Sequence, residues 1–165
     1  MTTADACARE AAWLSTTGDT LPSLLSATGG PWDVIQAYLP RTPTQQRTQI
    51  YVLRRRLVTA RFAQQRRMAT HHFQLSLVWP VGATASGPQI AELEQTALDS
   101  AVALLVTRIE GLVNDKSHGN RFLSVAEAPN GSTIDVEYDD PAQGVANGFF
   151  AATVTYTADD ADYTN

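Results

Sequence analysis

The sequence predicts an α+β fold: a mostly antiparallel β-sheet, one long amphipathic helix packed on one face, and an N-terminal helical region. Apolar residues recur at helical spacing over Gln89–Glu110, and they alternate with polar ones over Phe73–Trp79. Three strand-like segments follow the helix. The length of 165 residues fits one domain, with a helical region at 1–30, a sheet-plus-helix core at 31–157 and a flexible acidic tail at 158–165.

The first third of the chain contains short elements separated by glycine and proline. Thr3–Ser15 is rich in alanine and predicts a helix, and residues 21–25 predict a further turn or two of helix. Trp32–Leu39 predicts a short strand, since prolines follow it and glycines precede it.

Gln49–Leu57 fits two interpretations. A strand places Tyr51 and Leu53 on one face, whereas a helix aligns Ile50 with Leu53 and Leu57. We favour a strand because β-branched and aromatic residues open the segment.

The long helix has signals at both ends. Pro88 precedes it and Gly111 follows it, which is the usual placement of these residues around a helix. Glu92 and Glu94 lie in the first turn and Arg108 in the last, as the helix dipole favours. The predicted apolar stripe consists of Ile90, Leu93, Ala97, Leu98, Ala101, Leu104, Leu105 and Ile109.

The last three predicted strands are Arg121–Ala126, Thr133–Tyr138 and Phe149–Tyr156. Pro129, Asn130 and Gly131 separate the first two, and this turn chemistry predicts a hairpin.

The charge of the chain is segregated along its length. No acidic residue occurs between residues 34 and 91, where eight arginines lie, whereas thirteen acids and only three basic residues follow residue 91. The overall charge of −5 does not indicate a basic nucleic-acid binder. Leu, Ile, Val and Phe make up only 37 of the 165 residues, so we expect a thin core that neighbouring chains help to complete.

Several function classes lack their signatures. No run of 18 apolar residues predicts a membrane span, and the first ten residues lack the pattern of a signal peptide. The single Cys7 favours a reducing compartment. Phosphate-binding and dinucleotide-binding glycine motifs are absent, and we expect no cofactor.

Candidate catalytic and metal-binding residues are weak. Asp115, Ser117 and His118 include the residue types of a catalytic triad, but close sequence neighbours rarely reach triad geometry, so we expect an ordinary loop and no catalytic residue. His71 and His72 fall on opposite faces of a strand and cannot chelate one ion together. The acidic clusters at 139–140 and 159–162 lack the calcium-loop pattern, so we expect no metal.

The arginines of the middle segment are the main candidate site. Arginine binds phosphates, and it also pairs with carboxylates across protein interfaces. We favour a contact between copies of the chain, because its own C-terminal part is acidic; nucleic-acid binding and a solvated hairpin remain alternatives. The candidate interface residues are Arg54, Arg55, Arg56, Arg61, Arg66 and Arg67, and the candidate acidic interface or lumen residues are Asp135, Glu137, Asp139 and Asp140.

The ordered motifs resemble a known family. PWDVIQAYLPRTP (31–43), IYVLRR (50–55), FQLSLVWPVG (73–82), a long amphipathic helix, DKSHGNRFLSVAE (115–127) and a terminal strand pair follow one another. This order resembles the tail terminator proteins of long-tailed (siphovirus-type) bacteriophages, especially those of high-GC hosts. The resemblance covers about Trp32 to Tyr156 and depends on element order rather than on one diagnostic motif.

The resemblance implies a virion structural protein and not an enzyme. Such a protein assembles in the host cytoplasm as a ring, six-fold in the family, that caps the head-proximal end of the tail tube, stops tube polymerisation and docks to the head connector. Its partners would be further copies of itself, the tube protein and the connector or stopper protein, with genomic DNA passing through the lumen and no membrane contact. Another head–tail completion protein is the close alternative, and a nucleic-acid-binding module is the next.

Overall fold

A six-stranded, mostly antiparallel sheet and three α-helices make up the described part of the chain, so the fold is mixed α+β. The computed structural model describes residues 3–17, 20–42, 44–111, 114–127 and 134–163. The elements are α1 (Ala6–Ser15), β1 (Val34–Ala37), β2 (Gln49–Ala63), β3 (Arg66–Pro80), α2 (Ile90–Glu110), β4 (Ser124–Val125), β5 (Asp135–Tyr138), α3 (Pro141–Asn147) and β6 (Phe149–Tyr163).

Strand β3 is central, because β2 and β6 pair with it in antiparallel fashion along almost its whole length. The short β1 lies parallel to the beginning of β2. Strands β4 and β5 both pair with β6 on its other edge. Beyond Val52, which pairs with the last residue of β1, strand β2 has an open edge in the described structure.

One face of the sheet is buried and the other is polar. Phe73, Leu75, Leu77 and Trp79 are buried, whereas the residues between them are only half-buried, which confirms the alternation predicted for this segment. We call the buried side the core face and the other side the polar face. The apolar residues of the core face share one cluster with buried residues of α1 and α2.

The buried side of α2 differs from the predicted stripe. Leu93 and Leu104 are 49% and 38% exposed, whereas Glu94, Val102 and Arg108 are buried. Two of these buried residues are charged, and hydrogen bonds to other segments draw them inward. Helical spacing therefore located the helix but did not fix which side of it faces the sheet.

The predicted helical turns at 21–25 are wrong. Leu25 forms a bridge with Trp32, and backbone hydrogen bonds of 2.8 and 2.9 Å join Trp32 to Ser26 and Leu24. The loop closes tightly at Gly30, where an added Cβ would lie 2.2 Å from the carbonyl carbon of Leu24. The backbone is satisfied by this pairing instead of by a helix, and only a single 3-10 turn follows, at Ser26–Thr28.

Strands β2 and β3 are longer than expected. The ambiguous segment 49–57 is a strand, as we favoured, and it continues to Ala63, while β3 already begins at Arg66. These residues form a long hairpin that carries three of the six candidate arginines near its middle and three at its end.

Most of the tail that we expected to be flexible, 158–165, is instead a strand as far as Tyr163, and residues 164 and 165 lie outside the described residues. Strand β6 continues to Tyr163 and pairs with β3 as far as Arg66. The physical reason is the extra length of β3, which offers backbone partners to the acidic segment. The predicted strand at 121–126 is shorter than expected, since only β4 (Ser124–Val125) forms there. The predicted strand at 133–138 is β5, which begins at Asp135. Thr133 and the turn at 129–131 lie outside the described residues.

Candidate interaction surface

The distal part of the β2–β3 hairpin is a thin, exposed extension of the sheet. Every residue from Arg55 to Arg67 is exposed, which includes the apolar side chains of Leu57, Val58 and Phe62. Phe62 is the most exposed of these, at 73%. Exposed apolar residues interspersed with arginines are the composition found in protein interfaces.

The six candidate arginines form two groups. Arg54, Arg55 and Arg56 lie near the middle of the hairpin, and we call them the shoulder arginines. Arg61, Arg66 and Arg67 lie at its end and line one concavity of about 540 Å³ with Gln64; we call them the tip arginines. The two groups are separated by about five residues of strand, or roughly 17 Å.

The arginines also divide between the two faces of the sheet. A bulge lies between Arg54 and Arg56. Arg54 therefore pairs with Phe73 on the core face, whereas Arg56 pairs with His72 on the polar face. At the tip, Arg67 lies on the core face and Arg66 on the polar face, since they are adjacent in β3. The arginines therefore do not form one flat patch, as a single interface side would require.

The acidic candidates lie beside the first half of β6, whereas the tip arginines lie beside its end. Asp135 and Glu137 are exposed on the polar face of β5, and they pair with Thr155 and Thr153 of β6. Asp140 caps α3, because its side chain accepts a hydrogen bond of 3.0 Å from the backbone N–H of Ala142. These residues thus have different local roles, and Asp140 is partly committed to holding a helix.

Asp139 belongs to a pocket beside Asp99 of α2 and Tyr138 of β5. The Tyr138 hydroxyl hydrogen-bonds the Asp99 carboxylate. Burial, followed by this bond and the carboxylate charge, raises the pKa of Tyr138 to about 12. The hydroxyl therefore stays protonated near neutral pH and donates to Asp99.

The residue types of a catalytic triad do not assemble. Asp115 accepts hydrogen bonds from the backbone and hydroxyl of Ser117, which lower the pKa of its carboxyl. His118 is buried and faces elsewhere: its Nδ1 lies 2.9 Å from Glu10, and its Nε2 donates to the carbonyl of Ile109 at 2.8 Å. Both ring nitrogens are engaged, so the histidine has no free nitrogen to activate Ser117.

Glu10 is the centre of a buried network that sequence reasoning missed. It lies on α1, is fully buried, and accepts a hydrogen bond of 2.6 Å from the hydroxyl of Tyr156 as well as contacting His118. Burial, reinforced by the charge of Glu10, raises the pKa of Tyr156 well above its usual value. This network ties α1 to β6 and to the loop after α2.

An imidazole and a guanidinium pack against Trp13 next to this network. The indole stacks on His118 at 5.0 Å, and the guanidinium of Arg108 lies 4.6 Å from its ring centre. Arg108 donates to the backbone carbonyls of Trp13 and Thr16 at 2.9 and 2.7 Å. Burial lowers the pKa of Arg108, and the neighbouring charge of Arg121 lowers it further.

The paired histidines of β3 lie on opposite faces of the strand. His71 is buried, and its Nε2 lies 3.4 Å from Asp160 of β6, which also receives a 2.6 Å hydrogen bond from Arg9. Burial opposes ionisation of Asp160, but the bonds from His71 and Arg9 outweigh it and lower the pKa of this carboxyl. The acid that we expected in a mobile tail is thus an internal partner of α1 and β3.

Within the described segments, no group of three or more histidine, cysteine or acidic side chains is placed to hold a metal ion. The thiol of Cys7 is buried, and burial raises its pKa. Asp115, Ser117 and His118 are therefore committed to internal hydrogen bonds, and the Cys7 thiol is removed from solvent.

Comparisons with known proteins assign this chain to no group. No family model matches the sequence, and no curated protein matches it. The sequence motifs and the arrangement of its surfaces are consequently the basis for a functional proposal.

Proposed function

We propose that this chain is a virion structural protein of a long-tailed bacteriophage, a tail terminator whose copies form a ring at the head-proximal end of the tail tube. The ring would stop tube polymerisation and dock to the head connector, without catalysis. The proposal starts from the ordered motifs that resemble this family, in which the ring is six-fold.

The observation that carries the proposal is the exposed hairpin. Its distal half has apolar and arginine side chains on both faces, and in the described structure no helix covers it. Such a surface is costly for an isolated chain, because apolar side chains remain in water. Burial against neighbouring copies and against the tube protein would remove that cost.

The charge distribution supports a head-to-tail arrangement. Tip arginines lie at one end of the sheet, and Asp135, Glu137 and Asp139 lie beside the other half of β6. A ring of identical subunits needs two different complementary patches on each copy, and these two regions supply opposite charges.

The layering of the subunit is part of the proposal. A long amphipathic helix would cover one face of the sheet, with a helical N-terminal region beside it, and leave the polar face toward the lumen. Buried Leu98, Leu105 and Ile109 of α2 and their common cluster with β3 support this layering. Asp135 and Glu137 on the polar face would then repel the phosphates of passing DNA.

None of the described helices is both long enough and apolar enough to cross a membrane. The proposed location is the virion, after assembly in the host cytoplasm.

Electron microscopy of purified phage tails tests the proposal. We expect a ring with about six-fold symmetry at one tube end, labelled by an antibody or tag on this chain, and tubes of uncontrolled length when the chain is missing. Labelling at another position in the neck would support a stopper or completion protein instead. Absence of the chain from the particle would reject both.

The exposed arginines also favour a second candidate, a nucleic-acid-binding module. DNA affinity measured against salt separates it from the first. Six phosphate contacts predict a slope of about −5 in a plot of log affinity against log salt. A flat response, or no binding at low salt, rejects this alternative.

A further inference from the structure

A small pocket lies between α2, β5 and the beginning of β6. Its volume is about 230 Å³, and Leu98, Pro141 and Phe150 give it apolar walls. Sites for small molecules usually measure roughly 300–1,000 Å³. The pocket is therefore better matched to one large side chain than to a free metabolite.

The rim of this pocket is acidic. Asp99 and Asp139 both line it, and Tyr138 completes the rim by donating its hydroxyl hydrogen to Asp99. The backbone N–H of Asp139 donates to the carbonyl of Ala151 at 3.0 Å, which holds this part of the rim against β6. Apolar walls below a negative rim suit an aromatic or aliphatic group that is accompanied by cations.

The hairpin tip carries that combination. Phe62 is 73% exposed at the bulge that ends β2, between Arg61 and Ala63 in the strand register. Arg61 and Arg66 line one concavity at this tip, so the tip carries an exposed ring and two cations. Aromatic residues and arginine are also the side chains that most often dominate binding energy at interfaces.

The tip cannot reach the pocket of its own chain. Phe150 lies near the start of β6, and Tyr163, which pairs with Arg66, lies at its end. At about 3.3 Å per residue, roughly 40 Å of strand separates them. A contact between the two features must therefore join different copies, and one tip and one pocket on each copy are the two complementary patches that a head-to-tail ring needs.

We propose that the hairpin tip of one copy inserts Phe62 into the pocket of a second copy, with Arg61 and Arg66 facing Asp99 and Asp139. This inference specifies the subunit contact of the proposed ring and rests on that function. The match of shape, apolar character and charge identifies a copy of this chain as the occupant.

Disulfide trapping tests the contact directly. A Gln64→Cys variant, which places a thiol at the tip and leaves Phe62 intact, is mixed with a Gln95→Cys variant, which places a thiol on the pocket wall, and the mixture is oxidised. The natural Cys7 is 1% exposed and does not compete. We expect a covalent heterodimer, while a control mixture of Gln64→Cys with Leu123→Cys, a 49% exposed position away from the pocket, gives far less. Equal yields in the two mixtures, or no product in either, would overturn the inference.

Charge reversal gives a second measurement, by sedimentation of the full chain. Reversing Arg61 and Arg66 to glutamate weakens self-association about tenfold, and reversing Asp99 and Asp139 to arginine does the same. A mixture of the two variants restores association, because each reversed tip meets a reversed pocket. No restoration counts against the contact.

A matched control reverses Arg55 and Arg56 to glutamate, which makes the same change of charge on the shoulder arginines. An effect as large as that of the tip variant would attribute the result to overall charge and contradict the inference. The outcomes also distinguish the proposed subunit contact from the proposed function. If the variant with reversed tip charges still forms rings at the tube end, the contact alone is rejected. If disulfide-trapped dimers form but the chain is absent from phage tails, the function alone is rejected.

Discussion

Replacing Glu94 with alanine tests whether this buried carboxylate holds α2 against the end of β3. Its Oε2 accepts a hydrogen bond of 2.6 Å from the indole of Trp79. Its Oε1 accepts from the backbone N–H groups of Thr84 and Ala85 at 2.8 and 2.6 Å, and from the Thr84 hydroxyl at 2.8 Å. Glu94 is fully buried, so water does not replace it easily.

The magnitude follows from the donors left behind. The buried indole N–H of Trp79 loses its acceptor, which costs about 1–3 kcal/mol. The donors of Thr84 and Ala85 lie nearer to solvent and add about 1 kcal/mol together. Removal of a buried charge offsets a part of this cost, so we expect a loss of about 2–4 kcal/mol in the free energy of unfolding. For a chain of this size, that loss lowers Tm by about 5–15 °C.

Urea unfolding followed by tryptophan fluorescence measures the effect as a lower midpoint at an unchanged slope. Glu92→Ala is the matched control, because Glu92 is exposed in the first turn of the same helix and its loss should cost less than about 1 kcal/mol. Glu94→Gln keeps the shape of the side chain but turns an amide N–H₂ toward a donor. We expect this variant to lose an intermediate amount of the free energy of unfolding. If Glu94→Ala and Glu92→Ala unfold within about 0.5 kcal/mol of each other, the reasoning about buried donors is refuted.

Three further predictions concern pH and packing. Burial and the charge of Glu10 raise the pKa of Tyr156 in the folded chain. The stability that this hydroxyl contributes is therefore present below about pH 10 and falls as pH rises above that value. In unfolding curves measured at alkaline pH, Tyr156→Phe should make this fall in stability less steep. Asp160 has a lowered pKa, so its contribution is present above about pH 4 and is lost as pH falls through the folded value. Asp160→Asn should reduce the difference in urea midpoint between pH 6 and pH 3, and an unchanged difference contradicts the assignment. Gly144→Ala places a Cβ 2.5 Å from the ring of Phe150, and the resulting displacement should cost about 1–3 kcal/mol in thermal unfolding, unlike Ala142→Gly at an exposed position of α3.

Several elements were predictable because their signals are local. The alternation over Phe73–Trp79 identified β3 and its buried face, and helical spacing located α2 to within one residue at its start. Helix α3 was missed, although its signals are present: Pro141 follows the capping Asp140, and Gly148 ends the helix at φ +83°. That helix is seven residues long, too short for its apolar spacing to be distinctive.

The candidate surfaces were only partly predictable. The sequence located the arginines and acids and their segregation along the chain, but a strand bulge and the length of the hairpin decide their separation into shoulder and tip. The pocket at Asp99 and Asp139 has no sequence signature, because α2, β5 and β6 contribute to it from separate parts of the chain.

By itself, the sequence determined the α+β class, the strand at Phe73–Trp79 and the bipolar distribution of charge, because periodicity and charge are properties of neighbouring residues. Only the tertiary structure decided that Glu10 meets His118 and Tyr156, which lie 108 and 146 positions away in the chain. It likewise turned the acidic end of the chain into a strand, because β3 presents unpaired backbone groups there. Buried polar groups must find partners wherever the fold brings them, and no local pattern of residues specifies those partners.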